Sequence, residues 1–497
     1  MSAYDFPSEL FLPFLKTDST QPRYTALFRA FQQAILQGDL IAGAKLPASR
    51  PLSKTLGVSR NTIKTAYEML QAEGYIETRH GAGSFVSSQL PEQQPSPPLT
   101  QQTPENTEKQ LQLSDFAQRL NNVHQQQATS NDDGKGSLLL ATGQPCMDSY
   151  PWGKWQRAVL HANRQLRHHN TYSPLGNHTL RTQIARYLQV VRGVQCTPDQ
   201  VLICSGSQQA MYLALRVLVN PGEPVLVEDP GYSGIDGALT SVGAQKIAVM
   251  ADEQGFRLTD GLNAAPNSRV ALLTPSRNFP MGYTLSLERR LALINWAQQH
   301  NGWIIEDDYD SEFPFAGSPL TALQGLGGED CVIYAGTFSR ILHHSLRIGY
   351  LVLPPALVSI ATQARRFMDG GLSVLPQLAL AEFMASGDFA SHVRRMRKLY
   401  QQRREILKTL IHKQLGDTLT PVSSDGSMHS VFLLPAGMSD RAVCRHANQA
   451  GLGIRPLSAY YSGDCPQDGL VIGFSGHTEA EMGRAIGLLL SVFKALN

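Results

Sequence analysis

Short apolar runs alternate with segments of helical spacing throughout the larger, C-terminal part of the chain, from about residue 137 onward. The apolar residues between the runs recur at intervals of three and four, as on one face of a helix. Alternation of this kind over this length predicts an α/β domain built on a doubly wound, mostly parallel sheet. The runs predicted to be buried strands are Val201–Ile203, Pro224–Val227, Val270–Leu273, Trp303–Ile305 and Val332–Tyr334, and the predicted helices between them include Gln208–Val219 and Leu287–His300.

A polar segment separates this region from a shorter N-terminal one. Residues 89–136 are rich in Gln, Pro, Ser, Thr and Asn, and cannot bury enough apolar surface to offset the chain entropy of folding. An amphipathic stretch near Leu111 to Leu120 predicts one short helix within this segment. We therefore predict an N-terminal domain at residues 1–88, a Gln/Pro-rich linker at 89–136 and a large domain at 137–497, with a smaller α/β part at its C-terminal end.

Composition narrows the class of protein. Hydrophobic residues make up 42% of the chain and charged residues 17%, which is typical of globular proteins. No apolar run is long enough to cross a membrane, and the acidic residues near the N-terminus predict no secretory signal there. The six cysteines are scattered without a Cys-x-x-Cys pair. That distribution predicts a reducing, cytoplasmic location and argues against a zinc site.

Two short helices separated by a glycine are predicted between Ala44 and Ala72. The first begins near Ser49 and ends at Gly57, and Ser59 is placed to cap the second. The second helix has an apolar face with a period of about 3.6 residues, at Ile63, Ala66, Tyr67 and Leu70. Its free face is polar at the N-terminal end, where it carries Arg60, Asn61, Thr62 and Lys64.

The next residues predict a β-hairpin with a glycine-rich tip. Gly74 to Val86 is a strand, a turn and a strand, with Arg79 and His80 at the tip, and residues 45–80 hold six Lys and Arg against three acids. A small helical domain that binds another protein would explain any one of these pieces, and the charge by itself is also typical of a solvated helical surface. Their order favours a helix-turn-helix with a basic wing, which binds DNA.

These residues closely resemble the winged helix-turn-helix domain of GntR-type regulators. The resemblance implies that the N-terminal end of the second helix and the wing contact double-stranded DNA, and that two heads read two half-sites as a homodimer. The residues predicted to contact DNA are Ser49, Arg50, Ser59, Arg60, Asn61, Thr62, Lys64, His80 and Gly81.

Four segments of the large region look like parts of one ligand site. A strand ends at Gly206 and enters a helix, where free N–H groups and the helix dipole suit a phosphate. An acidic run, Glu306 to Glu312, follows another strand, where ligands of α/β proteins bind. A metal site is the alternative for this run, although His300 and His343 lie outside it. The remaining segments hold the hydroxyls of Thr337 and Ser339 with the cation of Arg347, and the aromatic ring of Tyr232.

Taken in this order, the segments resemble the fold-type-I, class I/II aminotransferase domain of MocR-type regulators, a branch of the GntR family. Together with the head, the resemblance covers nearly the whole chain outside the linker. It implies that pyridoxal phosphate binds with its ring stacked on Tyr232, its ring nitrogen paired with Asp307 and its ring hydroxyl bonded by Tyr309, with Asp308 as the alternative to Asp307. The residues implied to hold the phosphate are Gly206, Ser207, Gln208, Thr337, Ser339 and Arg347.

The chain departs from the family pattern at position 340, and again at His343 and His344, where the family usually has proline. The family has a lysine that forms a Schiff base with the cofactor, and this chain has Arg340 there, with no lysine between Gly302 and Leu351. A guanidinium stays protonated at physiological pH and cannot attack an aldehyde. We therefore predict no catalytic residue, no transaminase turnover and a cofactor that, if bound, is held without a covalent bond, in contact with Arg340.

Three interpretations of the large domain follow. It binds pyridoxal phosphate non-covalently, it has changed to another phosphorylated or anionic effector, or it serves only dimerisation. The leading prediction for the whole chain is a transcription regulator that senses a small molecule. The competing ones are a pyridoxal-phosphate-dependent aminotransferase with an accessory DNA-binding domain, and a DNA-binding protein that responds to no ligand.

Overall fold

The computed structural model describes Phe11 and residues 22–79, 81–88, 90, 113–127, 138–168, 172–315, 317, 320–424, 426–463 and 467–496. The chain divides into two compact units, Met1–Gln110 and Leu111–Asn497, which we call the head and the body. Among the described helices, none is long and apolar enough to cross a membrane.

The described part of the head contains three α-helices and a two-stranded antiparallel hairpin. Helix α1 packs on α3, and Phe31 meets the ring of Tyr67 edge-on at 5.4 Å between centroids. Ile63, Ala66 and Leu70 are buried, as their helical spacing predicted. The elements are α1 (Arg23–Leu36), α2 (Ser49–Leu56), α3 (Arg60–Ala72), β1 (Ile76–Arg79) and β2 (Gly83–Val86).

Two local signals set the turn between α2 and α3. Helix α2 ends at Leu56, with Gly57 in the left-handed conformation at its C-terminus. The hydroxyl of Ser59 accepts a hydrogen bond from the Thr62 amide at 3.1 Å and so caps α3. The predicted helix-turn-helix, cap and hairpin are confirmed, while His80 lies outside the described residues.

The body is built around one mixed, mostly parallel sheet of eight strands, which confirms the predicted fold class. Its strand order is β3-β10-β9-β8-β7-β4-β5-β6. Strands β9, β8, β7, β4 and β5 pair in parallel, whereas β10 is antiparallel to both of its neighbours and β6 to β5. The strands are β3 (Val201–Cys204), β4 (Pro224–Asp229), β5 (Gln245–Asp252), β6 (Gly255–Phe256), β7 (Val270–Leu273), β8 (Trp303–Asp308), β9 (Val332–Thr337) and β10 (Gly349–Val352).

Helices cover both faces of this sheet. In β9, Tyr334 packs into one apolar core and its neighbours Ile333 and Ala335 pack into another, because successive side chains of a strand point to opposite faces. The described α-helices of the body that precede its smaller C-terminal sheet are α4 (Asp115–Gln127), α5 (Trp152–Leu166), α6 (His178–Arg192), α7 (Ser207–Leu218), α8 (Gly234–Val242), α9 (Leu258–Ala264), α10 (Leu287–Gln299), α11 (Pro355–Asp369), α12 (Val374–Ala385) and α13 (Asp388–Leu415).

A smaller sheet forms the C-terminal part of the body. Its four antiparallel strands lie in the order β11-β12-β14-β13, and α15 packs on α13 and α14. The elements are β11 (Thr420–Pro421), β12 (His429–Leu433), α14 (Asp440–Gln449), β13 (Arg455–Pro456), β14 (Gly469–Gly473) and α15 (Glu479–Leu496).

Helix α4 lies in the segment predicted as linker. It begins at Asp115, within the amphipathic stretch that predicted a helix, and packs against α8. The division between the two units falls before it, at Gln110 and Leu111. The part of the chain that joins head and body therefore ends in a helix of the body.

A buried ion pair anchors the end of strand β8. The Nε of Arg192 lies 2.8 Å from an Asp308 carboxylate oxygen, and both side chains are almost fully buried. The same carboxylate accepts hydrogen bonds from the hydroxyls of Ser311, at 2.7 Å, and Tyr334. Asp308 is thus fully engaged on the face of β8 that packs against α6.

We expect Arg192→Met to destabilise the body by about 3–5 kcal/mol, because it leaves the Asp308 carboxylate buried without its counter-ion. Urea unfolding of the full chain measures the change. Lys408→Met removes an exposed partner of Glu405, 3.3 Å away, and is the matched control, with an expected change below about 1 kcal/mol. Equal effects of the two substitutions would show that the buried pair is not an anchor.

Candidate functional site

The N-terminal end of α3 presents a polar surface. Arg60, Asn61 and Lys64 are exposed, and Thr62 is half-buried beside its cap. Arg50, near the start of α2, is exposed as well. Main-chain N–H groups and the positive end of the helix dipole add to the attraction of this surface for phosphate.

Two predicted contact residues act locally in this structure. The hydroxyl of Ser49 accepts a hydrogen bond from the Arg60 Nε at 3.3 Å, and that of Ser59 is engaged with Thr62. These bonds orient Arg60 and the first turn of α3. Lys64 lies 3.9 Å from Glu68 and both side chains remain well exposed, so its ammonium is available.

The wing carries a second cluster of cations. Arg79 pairs with Gly83 across the hairpin, and its guanidinium lies 4.7 Å from the centroid of the Phe85 ring. An isolated bridge joins Lys45 to Phe85, and the Lys45 ammonium lies 5.8 Å from the same ring. Lys45 was not among the predicted contacts, since only the folded hairpin brings it there. Gly81 is exposed at the turn.

The body holds a cavity of about 640 Å³ at the carboxyl ends of its parallel strands. Nine of the ten residues predicted to bind a cofactor line it, and Gln208 is the exception. The lining residues are Gly206, Ser207, Tyr232, Phe279, Asp307, Tyr309, Thr337, Ser339, Arg340, His344, Ser345 and Arg347.

One end of the cavity has a helix N-terminus and a guanidinium group, both of which suit an anion. Helix α7 starts at Ser207, directly after Gly206, whose φ of +81° favours glycine. A side chain at Gly206 would also crowd Arg347, since a Cβ there would lie 3.2 Å from a guanidinium nitrogen. Arg347 donates to the Ser205 carbonyl oxygen at 3.0 Å, which holds its guanidinium over the helix start.

Gln208 contributes differently from the other residues of this end. Its side-chain amide donates to the Gly234 carbonyl oxygen at 2.8 Å and does not line the cavity. At the start of α7 only its main-chain N–H can meet an anion. Sequence cannot reveal this engagement, because Gly234 lies in another helix.

The other end of the cavity is aromatic and acidic. The Phe279 ring lies edge-on to those of Tyr232 and Tyr309, with 5.8 Å between centroids in both pairs. Asp307 faces the cavity, whereas Asp308 lies on the opposite face of β8 with Arg192. Of the two aspartates that sequence left open, Asp307 is therefore the one in the cavity lining.

Three buried polar atoms of the lining have no hydrogen-bond partner among the described residues. They are the Asp307 Oδ1, the Tyr309 hydroxyl and the Ser339 hydroxyl. Nearly all buried polar atoms of folded proteins are hydrogen-bonded, so such a group of orphans indicates a place for a ligand. The orphans lie on the last residue but one of β8, on the residue after β8 and just past β9.

Burial sets the ionisation of this end. It raises the pKa of Asp307 to about 7, helped by the charge of Asp308 and opposed by that of Arg340. Burial also raises the pKa of Tyr309 well above its ordinary value, so the phenol stays protonated. The pKa of His344 is lowered, first by burial and then by Arg340, which keeps the imidazole neutral near pH 7.

Arg340 occupies the position where the resembled family has its lysine. Its guanidinium lies 5.4 Å over the Tyr309 ring, and a Cβ on Gly143 would approach it to 2.8 Å. In the described parts of the chain, no carboxylate lies within ion-pair distance of it, and no lysine lines the cavity. Lys246 is held elsewhere by Asp236, at 2.6 Å, and by Ser462, at 2.7 Å.

Three lining residues were not assigned a ligand contact from sequence. Phe279 lies in the segment Thr274–Pro280, which also resembles the family pattern, and His344 stands where the family usually has proline. Ser345 carried no signal. The acidic run does not converge on one point in this structure, since Asp310 pairs with Arg277 at 2.8 Å and Asp308 with Arg192.

Comparisons with known proteins agree with this two-part architecture. The family model "Bacterial regulatory proteins, gntR family" matches residues 23–86, and "Aminotransferase class I and II" matches residues 135–489. The probable rhizopine catabolism regulatory protein MocR of Rhizobium meliloti is 34% identical over 97% of this chain and 96% of its own. The chain belongs to the MocR-type regulators of the GntR family.

Other relatives of this MocR-type chain are regulators too. The pyridoxine biosynthesis transcriptional regulator PdxR of Corynebacterium glutamicum is 31% identical over 92% of both chains. In structure, the body is similar to the α-aminoadipate aminotransferase LysN of Thermus thermophilus, with a TM-score of 0.68 and 26% identity over 77% of this chain and 97% of that one. The similarity to named regulators over nearly the whole chain favours a transcription regulator over an enzyme.

We expect Asp307→Asn to stabilise the ligand-free protein more at pH 8 than at pH 5. The folded chain holds the Asp307 proton more tightly than the unfolded chain, so the stability that this group contributes is full below about pH 4 and is lost as the pH rises to about 7. The expected gain at pH 8 is about 2–4 kcal/mol. Thermal unfolding at both pH values measures it.

Asp260→Asn is the control for this experiment, because Asp260 is a solvent-accessible carboxylate paired with Arg257 at 2.9 Å. It should produce no pH-dependent gain. A gain from Asp307→Asn that is the same at both pH values would contradict the raised pKa.

Proposed function

We propose that this regulator binds double-stranded DNA through its head and responds to pyridoxal phosphate, or a related phosphorylated ligand, held in the body without a covalent bond. The observation that carries the proposal is the cavity with three orphaned polar atoms and an arginine in place of the lysine. The first feature supports binding, and the second argues against turnover.

The residues present fit pyridoxal phosphate. Asp307 would pair with the ring nitrogen, Tyr309 would donate to the ring hydroxyl, and Tyr232 would stack on the ring. The Ser339 hydroxyl, Arg347 and the N–H groups at the start of α7 would hold the phosphate. Each of the three orphaned atoms would thereby gain a partner.

The cofactor, when bound, supplies an electrophilic aldehyde and an electron-accepting ring. Arg340 cannot use the aldehyde, because its guanidinium remains protonated and is not a nucleophile. It offers a fixed positive charge and a planar set of N–H donors instead. We therefore propose that the body acts as a sensor.

A pyridoxal-phosphate-dependent aminotransferase with an accessory DNA-binding domain is the second candidate. The similarity of the body to the LysN aminotransferase favours it. The absence of a lysine from the described cavity lining opposes it, because the family's covalent bond requires a primary amine.

The proposed partner of the head is double-stranded DNA. We propose that Arg60, Asn61 and Thr62 enter the major groove, with Arg50 and the wing on the backbone. One head of this size covers a single half-site, so we propose a homodimer in which two heads bind one operator. A protein that binds chromosomal DNA acts in the bacterial cytoplasm, where thiols such as the five described free cysteines stay reduced.

We expect wild-type protein incubated with pyridoxal phosphate to bind it and to yield no borohydride-reducible adduct. Arg340→Lys should yield one adduct per chain, located at residue 340 by peptide mass spectrometry. The wild type carries every other lysine of the variant and so serves as its own control. A reducible adduct on a lysine of the wild type would overturn the non-covalent proposal.

We expect Arg60→Ala and Asn61→Ala to weaken binding of a duplex selected by the wild-type protein from a random library, by about 1–3 kcal/mol each. Fluorescence anisotropy measures the affinity, with and without saturating pyridoxal phosphate. The exposed Arg29 on α1 provides the matched control, since Arg29→Ala removes the same charge from another helix. Equal losses in all three variants would contradict the assigned surface, and affinity that ignores the ligand would favour a regulator that does not sense it.

A further inference from the structure

The charged side chains of the cavity lining are mostly cationic. Its lining includes two guanidinium groups, Arg340 and Arg347, and one carboxyl group, Asp307. The phosphate of the ligand would neutralise the Arg347 end. Arg340, at the position where the family has its lysine, would face the aldehyde, which is uncharged. Arg340 is half-buried, so its guanidinium loses part of its hydration. An uncharged group offers no ion pair to compensate for that loss.

We propose that Arg340 is a carboxylate receptor, and that the preferred ligand is a phosphorylated pyridine bearing a carboxylate where pyridoxal phosphate has its aldehyde. The proposal rests on the proposed function, since it takes for granted that the cavity holds a phosphorylated pyridine. The proposal specifies that the substituent next to the ring hydroxyl is an anionic carboxylate and not an uncharged aldehyde.

The position of Arg340 selects this substituent. Tyr309 is the residue placed to bond the ring hydroxyl, and the aldehyde carbon is attached to the neighbouring ring atom. The Arg340 guanidinium lies 5.4 Å from the centroid of the Tyr309 ring, so it would lie close to the group that this ring atom carries. Gly143 leaves room for the guanidinium, because a Cβ there would come within 2.8 Å of it.

The chemistry of Arg340 matches a carboxylate better than the alternatives. A guanidinium presents two parallel N–H donors that fit the two oxygens of a carboxylate. In the described parts of the chain, no acidic side chain takes these donors by ion pairing. An ammonium group at the same place, as in pyridoxamine phosphate, would be repelled by the fixed charge. The order of affinity should therefore be carboxylate, aldehyde, amine.

The test uses three compounds that share ring and phosphate and differ only in this substituent. They are 4-pyridoxic acid 5-phosphate, pyridoxal phosphate and pyridoxamine phosphate, titrated into the full chain by calorimetry. We expect the carboxylate to bind about 10- to 100-fold more tightly than the aldehyde, as for a charge-assisted hydrogen bond, and the amine to bind most weakly.

Variants separate the two arginines. Arg340→Gln should abolish the advantage of the carboxylate and improve binding of the amine, while Arg340→Lys, which keeps the charge, should retain part of the carboxylate affinity. Arg347→Gln should weaken all three compounds by a similar factor, because they share the phosphate. Arg366→Gln, at an exposed position of α11, should change none of them. Far-ultraviolet circular dichroism confirms that each variant is folded.

The outcomes distinguish the two proposals. If none of the three compounds binds the wild type, the proposed function fails and this inference with it. If the aldehyde binds as tightly as the carboxylate, or if Arg340→Gln leaves the order unchanged, the carboxylate receptor is wrong while the sensor of pyridoxal phosphate stands.

Discussion

Strand β8 ends in two adjacent carboxyl groups, and the pleat of the strand sends them to opposite faces. Asp308 is bonded to Arg192, Ser311 and Tyr334 in the interior, and this fixes the end of the strand. Because successive side chains of a strand point to opposite faces, Asp307 faces the cavity. The position of the cavity follows from the same geometry, since β8 and β9 run in parallel and end side by side. Tyr309, Thr337 and Ser339 come together there because they lie at or just past those two strand ends.

Buried polar groups without partners lower the stability of the ligand-free fold, and the same groups are available to bind a ligand. Burial of Asp307 raises its pKa, and the Asp307 Oδ1, the Tyr309 hydroxyl and the Ser339 hydroxyl lack partners among the described residues. A folded chain keeps groups of this kind where a ligand supplies what the protein leaves out. The same reasoning applies to Arg340. A half-buried guanidinium group without an ion pair attracts an anionic group of a ligand.

Sequence reasoning succeeded wherever the signal was local. The buried strands, the Ser59 cap and the order of helix, turn, helix and hairpin were all predicted, because periodicity and capping depend on neighbours along the chain. It could not foresee that Gln208 bonds to Gly234, that Lys45 reaches the wing or that Ser345 enters the cavity lining. Each of those contacts joins segments that meet only after folding. The helix at Asp115–Gln127 was expected within the linker, whereas its packing on α8 was not.

The sequence by itself determined the class of protein and its principal anomaly. The tandem order of motifs identified a MocR-type regulator. The arginine at position 340 argued against a Schiff base with the cofactor, since a guanidinium cannot react as the amine of a lysine would. The tertiary structure alone decided which aspartate lines the cavity, which polar atoms of the described residues lack hydrogen-bond partners and that the Arg340 guanidinium lies over the Tyr309 ring. Those facts depend on distances between strands and loops remote in sequence, and burial and Coulomb interactions act through space.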